Sequence, residues 1–163
     1  SDLCNRYRVP DVILSADAFN AAVAVIEQDL HTDPGAETPK VVLGVVEGDV
    51  HDLGKNIVAT MLRGAGLHVV DLGVDVPAAE FVAAVRRERP AILGIGAYMS
   101  TTMLAIPDIL AALTAAGLRT EVTVLVGGVP TSQYFADRLG ADGWAPDATS
   151  TVRKVKEILE RHK

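Results

Sequence analysis

Val41-Val42-Leu43-Gly44-Val45-Val46-Glu47-Gly48-Asp49-Val50-His51-Asp52-Leu53-Gly54-Lys55-Asn56 is the stretch that decides the fold. A short apolar run, mostly β-branched, stops at an acidic loop containing glycine, and a helical pattern covers Gly54–Ala65. An apolar run of that length is expected for a strand buried on both faces. The same alternation repeats along the chain. Apolar runs follow at Leu67–Leu72, Ile92–Ala97 and Val122–Val126, with a weaker one at Gly143–Ala145. Between and after them lie helical patterns at Ala78–Arg89, Met103–Ala116, Thr131–Leu139 and Thr149–Arg161. Pro77 stands where a first-turn proline belongs and Gly117 where a C-terminal glycine belongs. Strands alternating with helices of this length specify parallel βαβ units. The expected fold is therefore α/β, a doubly wound five-stranded parallel sheet of flavodoxin-like, Rossmann-like type with strand order 2-1-3-4-5.

Upstream, Pro10 can open a helix, and Val12 to Leu30 carries Ile13, Ala16, Phe19, Val23, Ile26 and Leu30 at helical spacing. Asp33, Pro34, Gly35 and Pro39 then break any helix, so residues 33–39 read as a linker. Three segments result: 1–32, the linker 33–39, and the α/β domain 40–163.

The bulk composition narrows the function. Of the 163 residues 49% are hydrophobic and only 4% aromatic, so Val, Ile, Leu and Ala must build the core. A net charge of −6 argues against a large phosphate-contacting surface and hence against nucleic acid as a direct partner. No apolar run reaches the roughly 18 residues of a membrane span. Ser1 to Arg8 is polar and lacks the apolar centre of a signal peptide. The single cysteine, Cys4, cannot form an internal disulfide. A cytoplasmic location is the expectation.

Open α/β sheets bind ligands beyond the carboxyl ends of their strands, at the switch point of strand order. Here that point lies between strands one and three, which selects the loops Glu47–Gly54, Tyr98–Met103 and Gly127–Pro130. In the first, Asp49-x-His51 places a carboxylate within reach of the same imidazole. Such a pair fixes the tautomer and prepares the other ring nitrogen as a metal ligand; it is equally a loop histidine beside an Asp that caps a helix. In the second, Ser100, Thr101 and Thr102 present three hydroxyls in a row at a strand mouth, where one would suffice for capping. In the third, Gly127-Gly128 lets something bulky lie against the backbone, or simply makes a tight turn.

Together these loops resemble a known family. Gly48-Asp49-Val50-His51-Asp52-Leu53-Gly54-Lys55-Asn56-Ile57 is similar to the Asp-x-His-x-x-Gly signature of cobalamin-binding domains, as found in methionine synthase and in the corrinoid proteins of methylotrophic methyltransferase systems. The spacing to Tyr98–Met103, to Gly127-Gly128 and to Ala141-Asp142-Gly143-Trp144-Ala145-Pro146-Asp147-Ala148 also fits, and the likeness covers Lys40 to Lys163.

The resemblance implies cobalamin or a related corrinoid as cofactor, serving as methylcobalamin and cob(I)alamin. Its own base would leave cobalt, and His51 would take that place as lower axial ligand and metal-binding residue. Asp49 would hold His51 and Thr102 would hold Asp49. Gly96, Tyr98 and Ser100 would line a slot for the nucleotide tail, with Gly127, Gly128 and Ala148 beside the base and nucleotide. Gly48, Val50, Asp52, Leu53, Gly54, Ile57, Val129 and Trp144 complete the implied cofactor-binding set.

The chain departs from the family where Ser-x-Leu is usual near the end of the third strand. Gly96-Ala97-Tyr98 stands there, so a serine hydroxyl is missing and a larger ring replaces leucine. Tyr98 either fills the space left at Gly96 or substitutes its own hydroxyl. The helix Val9 to Leu30 resembles the last helix of the family's helical cap, so residues 1–32 are expected to be a remnant of that cap in a fragment of a longer protein.

The expected function is a methyl carrier, not catalytic alone. It would pass a methyl group on cobalt from a substrate-specific methyltransferase to an acceptor-side methyltransferase, and a reductive activator is a further expected partner. The alternative is a cobalamin-sensing module of a regulator. Arg86, Arg87 and Arg89 read as a solvated helix face and not as a nucleic-acid-binding element. A phosphorylation receiver shares the strand order, but it needs an acidic residue at the end of the third strand, and Ala97–Thr102 has none.

Overall fold

The computed structural model describes residues 38–161 and the helical positions Ala18 and Ala21. Apart from those two positions, the helix expected over Val12–Leu30 lies outside the described residues, as does most of the linker. The chain divides into two compact units, Ser1–Asp33 and Pro34–Lys163.

The second unit runs β1 (Lys40–Val45), α1 (Leu53–Gly64), β2 (His68–Asp71), α2 (Ala78–Glu88), β3 (Ile92–Gly96), a 3-10 turn (Thr102–Ala105), α3 (Ile106–Ala115), β4 (Thr123–Gly127), α4 (Gln133–Leu139), β5 (Gly143–Ala145) and α5 (Ala148–Arg161). The strands are all parallel and lie in the order β2-β1-β3-β4-β5, as the sequence pattern requires.

Most boundaries differ from the sequence reading by a residue, and three of the differences have a clear local reason. The helix expected over Met103–Ala116 is split into the 3-10 turn and α3. Pro107 in the first turn of α3 has no N–H to give, so no continuous α-helical ladder runs through it. Pro77 is the N-cap of α2, with extended backbone, one place before the first turn. α4 begins two residues after Thr131 because Ser132 caps it, its hydroxyl accepting from Phe135 N–H at 3.1 Å. Gly117 has φ +72°, the left-handed conformation expected just past a helix end.

Side chains alternate across each strand, and this makes two cores. Val42, Leu93, Ile95, Val124 and Val126 face α2, α3 and α4, where Phe81, Ile109 and Leu113 are fully buried. Val41, Leu43, Ile92 and Leu125 face the other way, with Ala59 and Leu62 of α1 and Val155 of α5. Full burial of a side chain such as Phe81 or Leu62 contributes roughly 1.5–3 kcal/mol.

The packing against β1 leaves no slack at Gly44. A Cβ there would stand 2.7 Å from the Phe81 ring. Gly44→Ala is expected to cost about 1–3 kcal/mol through overpacking. Phe81→Leu should reduce that cost when both changes share one chain. Denaturant unfolding of both single variants and the double variant checks this; strictly additive effects would show that the contact is not limiting.

Candidate functional site

Asp49 stands at the carboxyl end of β1 with no exposed surface. Its Oδ1 accepts from the backbone N–H of His51 at 3.1 Å and pairs with His51 Nδ1 at 2.7 Å. Its Oδ2 accepts from Tyr98 N–H at 2.7 Å and from the Thr102 hydroxyl at 2.6 Å. Burial by itself would raise this carboxyl, but the donors from Thr102, Tyr98 and His51 outweigh it and bring the group down to about 2. Asp49 is thus an anion and can only accept, so Nδ1 of His51 carries the proton. In the neutral imidazole the lone pair is then on Nε2. The His51 side chain is 56% exposed, at the edge of the protein.

The loop holding this pair is clamped from β2. Gly48, at φ +81°, gives its N–H to Asp75 Oδ1 at 2.7 Å, and Asp75 returns its own N–H to the Asp49 carbonyl at 3.0 Å. Asp75 has φ +54°, a conformation that Asp tolerates better than most residues. Lys55, buried in the first turn of α1, pairs with Asp71 at the end of β2 and donates to Asn56 Oδ1 at 2.7 Å.

Beside the loop runs a groove of about 520 Å³ between the sheet and the helices α1 and α5. Its origin lies in two neighbouring rows of the sheet. The row Leu43, Gly94, Leu125, Gly143 alternates large and small. A Cβ on Gly94 would meet Leu43 Cδ2 at 2.5 Å, so leucine fills that gap. The next row toward the carboxyl ends is Val45, Gly96, Gly127, Ala145. There a Cβ on Gly96 would meet nothing nearer than 3.5 Å, and one on Gly127 nothing nearer than 3.7 Å. Packing does not demand these glycines, and the space above them is the groove. Gly128 differs: at φ +112° a Cβ would collide with the Ala97 carbonyl at 1.8 Å, so the chain turns there only with glycine.

The expected site residues fall into three groups. Gly54, Ile57, Gly96, Tyr98, Gly127, Gly128, Val129 and Ala148 line the groove. Gly48, Asp49, Val50, His51, Asp52 and Leu53 form the loop above it, with Thr102 beneath Asp49; Asp52 accepts from Asn56 Nδ2 at 3.2 Å. Ser100 lies on an exposed turn away from the groove lining.

Trp144, like Ser100, does not line the groove. Its neighbours Gly143 and Ala145 face α5 and the groove, so strand alternation turns the indole to the opposite face. There its Nε1 donates to Thr131 Oγ1 at 2.9 Å.

The tyrosine at the family's leucine position takes the first of the two expected roles. Its ring lies against Gly96 and reaches Gly54, where a Cβ would stand 2.5 Å from the phenolic oxygen. Burial, then the charges of Asp49 and Asp52, push the phenol up to about 12, while the Lys55 N–H near its oxygen pulls the other way. The hydroxyl is therefore neutral at physiological pH.

Sequence reasoning missed Gly94, Met61, Ala145, Pro146, Thr149 and Thr151 in the groove, and Asp75 in the clamp. For Gly94 and Ala145 the signal was present: small residues two apart at the ends of buried runs. Asp75 carried no comparable signal. A second cavity, about 700 Å³, opens at the amino ends of β3 and β4. It holds none of the expected site residues, and its Arg119 is already paired with Asp142 at 2.9 Å.

Residues 39–155 match the family of B12 binding domains, and the chain belongs to it. Its relatives name the group within that family. Dimethylamine corrinoid protein 2 of Methanosarcina mazei is 45% identical over 154 residues, 93% of this chain and 71% of that protein. Among solved structures, the monomethylamine corrinoid protein of Methanosarcina barkeri aligns with a TM-score of 0.80 at 30% identity, over 95% of this chain and 74% of that one. A chain of the methanol:cobalamin methyltransferase complex MtaBC from the same organism aligns with a TM-score of 0.70 at 35% identity, over 94% and 58%. The cofactor class expected from the sequence, cobalamin or a related corrinoid, stands.

The residues present fit that group. Among the described residues no cluster of three or more His, Cys, Asp or Glu side chains comes together. His51 therefore offers a single nitrogen, which suits an ion that arrives inside a macrocycle better than a bare one. The groove over Gly96 and Gly127, part of which the Tyr98 ring takes up, supplies the space for a tail.

Thr102→Val tests the hub directly. It leaves the buried Asp49 carboxylate one donor short, and the expected cost is about 1–3 kcal/mol in denaturant unfolding of the apoprotein. A variant as stable as the parent would show that Asp49 does not depend on Thr102.

Proposed function

We propose that this chain carries a methyl group on the cobalt of a corrinoid between methyltransferase partners, and that it binds the cofactor base-off with His51 as the lower axial ligand. The observation that carries this reading is the Asp49–His51 pair, backed by Thr102, at the head of a groove floored by Gly96 and Gly127.

A corrinoid held here would supply the methyl-transfer chemistry at its cobalt. The chain's own residues do the rest. Asp49 keeps the proton on Nδ1 of His51, which leaves Nε2 as donor and strengthens it. Thr102 and the Tyr98 N–H keep Asp49 ionised and fixed. Val50, Val129, Leu53 and Met99 expose apolar surface on the same loops, at 70%, 87%, 38% and 37%, and suit the face of a large flat macrocycle.

The relatives' names favour the carrier over a cobalamin-sensing module. The partners in this reading are a substrate-specific methyltransferase and an acceptor-side methyltransferase, with a reductive activator to restore the cobalt. The structure of a methanol:cobalamin methyltransferase complex supports that kind of assembly. In this reading residues 1–32, almost all of which lie outside the described residues, are the remnant of a cap domain, 33–39 its linker and 40–163 the cobalamin-binding domain. Among the described residues no helix is long and apolar enough to cross a membrane. We place the work of the chain in the cytoplasm.

Electron paramagnetic resonance of the cobalt(II) protein is the test. Histidine labelled with nitrogen-15 should change the nitrogen splitting; an unchanged signal would remove His51 as ligand. His51→Ala should weaken corrinoid binding on the order of 10–100-fold. Because the ring is more than half exposed, unlike buried Thr102, water can take its place beside Asp49 Oδ1, which also keeps the His51 backbone N–H, and the melting temperature of the apoprotein should stay within about 2 °C. A large fall would show that His51 serves folding.

A further inference from the structure

The ring of Tyr98 occupies a particular interval. On one side stands Gly54, in the first turn of α1, whose missing side chain leaves the room that Tyr98 Oη and Cε1 fill; a Cβ there would meet them at 2.5 and 2.7 Å. On the other side is Gly96 on the groove floor, where a Cβ would stand 3.5 Å from Cε2. The ring centroid is 6.2 Å from that of His51. Tyr98 therefore fills the gap between the turn that follows His51 and the floor of the groove.

The ring is also held there. Its backbone N–H is tied to Asp49 at 2.7 Å. The N-cap residue of α1, Asp52, makes no side-chain cap, so the first-turn N–H groups of Leu53, Gly54 and Lys55 lack one, and the phenolic oxygen lies near that of Lys55. Moving the ring breaks this approach and exposes apolar surface, which opposes displacement.

We propose that Tyr98 is the specificity-determining residue for the corrinoid in this chain, selecting against wide nucleotide tails because the tail must take the space that the ring fills between Gly54 and Gly96. This rests on the corrinoid reading above. A corrinoid held at His51 meets no such obstacle if it has no tail. One with a bicyclic base at the end of its tail reaches the floor only after the ring has moved aside. The slot is accordingly less selective for complete cobalamin than its volume allows.

The experiment measures dissociation constants of the purified apoprotein for cobalamin and for cobinamide, which lacks the nucleotide tail, by absorbance titration. The quantity read is the ratio of the two. In Tyr98→Leu and in Tyr98→Ala it should shift in favour of cobalamin by about tenfold. In Tyr98→Phe, which keeps the ring and removes the hydroxyl, it should stay within about twofold of the parent ratio. Two truncations of different size guard against one that folds poorly, and circular dichroism of each apoprotein establishes the fold.

An unchanged ratio in both truncations overturns the proposal, and a shift in favour of cobinamide does so too, since Tyr98 would then be a contact for the tail. If the parent binds neither compound, the corrinoid reading fails and this inference with it. If the parent binds both and only the ratio fails to respond, the corrinoid reading stands and the role of Tyr98 falls.

Discussion

A carboxylate with no exposed surface is costly in a protein unless every lone pair facing the interior is answered. Asp49 meets that condition through donors from two separate loops: His51 from its own, Tyr98 and Thr102 from the loop after β3. The anion therefore fastens the two sides of the switch point together. It also decides where the proton of His51 lies. Position and tautomer of the imidazole follow from one electrostatic requirement, and the same carboxylate holds the two loops together beside the groove.

The groove arises from an interruption. On the α1 and α5 side of the sheet, Val41, Leu43, Ile92 and Leu125 make an ordinary aliphatic core. Toward the carboxyl ends the same face continues with Gly96, Gly127 and Ala145, whose small size leaves room that the Tyr98 ring fills only in part. Stability is given up locally and recovered on the other face, where the larger cluster around Phe81, Ile109 and Leu113 has no such gap. A sheet with two unequal faces combines a firm core with an open slot.

Much of this was legible in the sequence because it rests on period and spacing. Alternating apolar runs and helical patterns set the strand order, the strand order set the switch point, and the switch point selected three loops. The Asp49–His51–Thr102 chain followed from the resemblance, and the hydrogen bonds agree with it. Facing within a strand was less accessible. Trp144 belongs to the right strand but to the wrong side, and a run as short as Gly143–Ala145 has too few residues for alternation to declare itself. Asp75 was beyond reach: its role depends on a left-handed backbone conformation and on contact with Gly48, 27 residues away. The split in the helix after β3 was readable in principle from Pro107, which has no N–H to continue the ladder from the preceding turn.

The turn of Trp144 away from the groove has a spectroscopic meaning. It is the only tryptophan in the chain, and it is bonded directly to Ala145, which lines the groove. Its Nε1 is tied to Thr131, and its ring packs among aliphatic neighbours. The indole is thus a fixed emitter that touches nothing in the groove but lies within energy-transfer range of anything coloured that enters it. A strongly absorbing guest would darken it by proximity alone, so the ultraviolet emission of the unmodified chain registers how full the slot is without an added label.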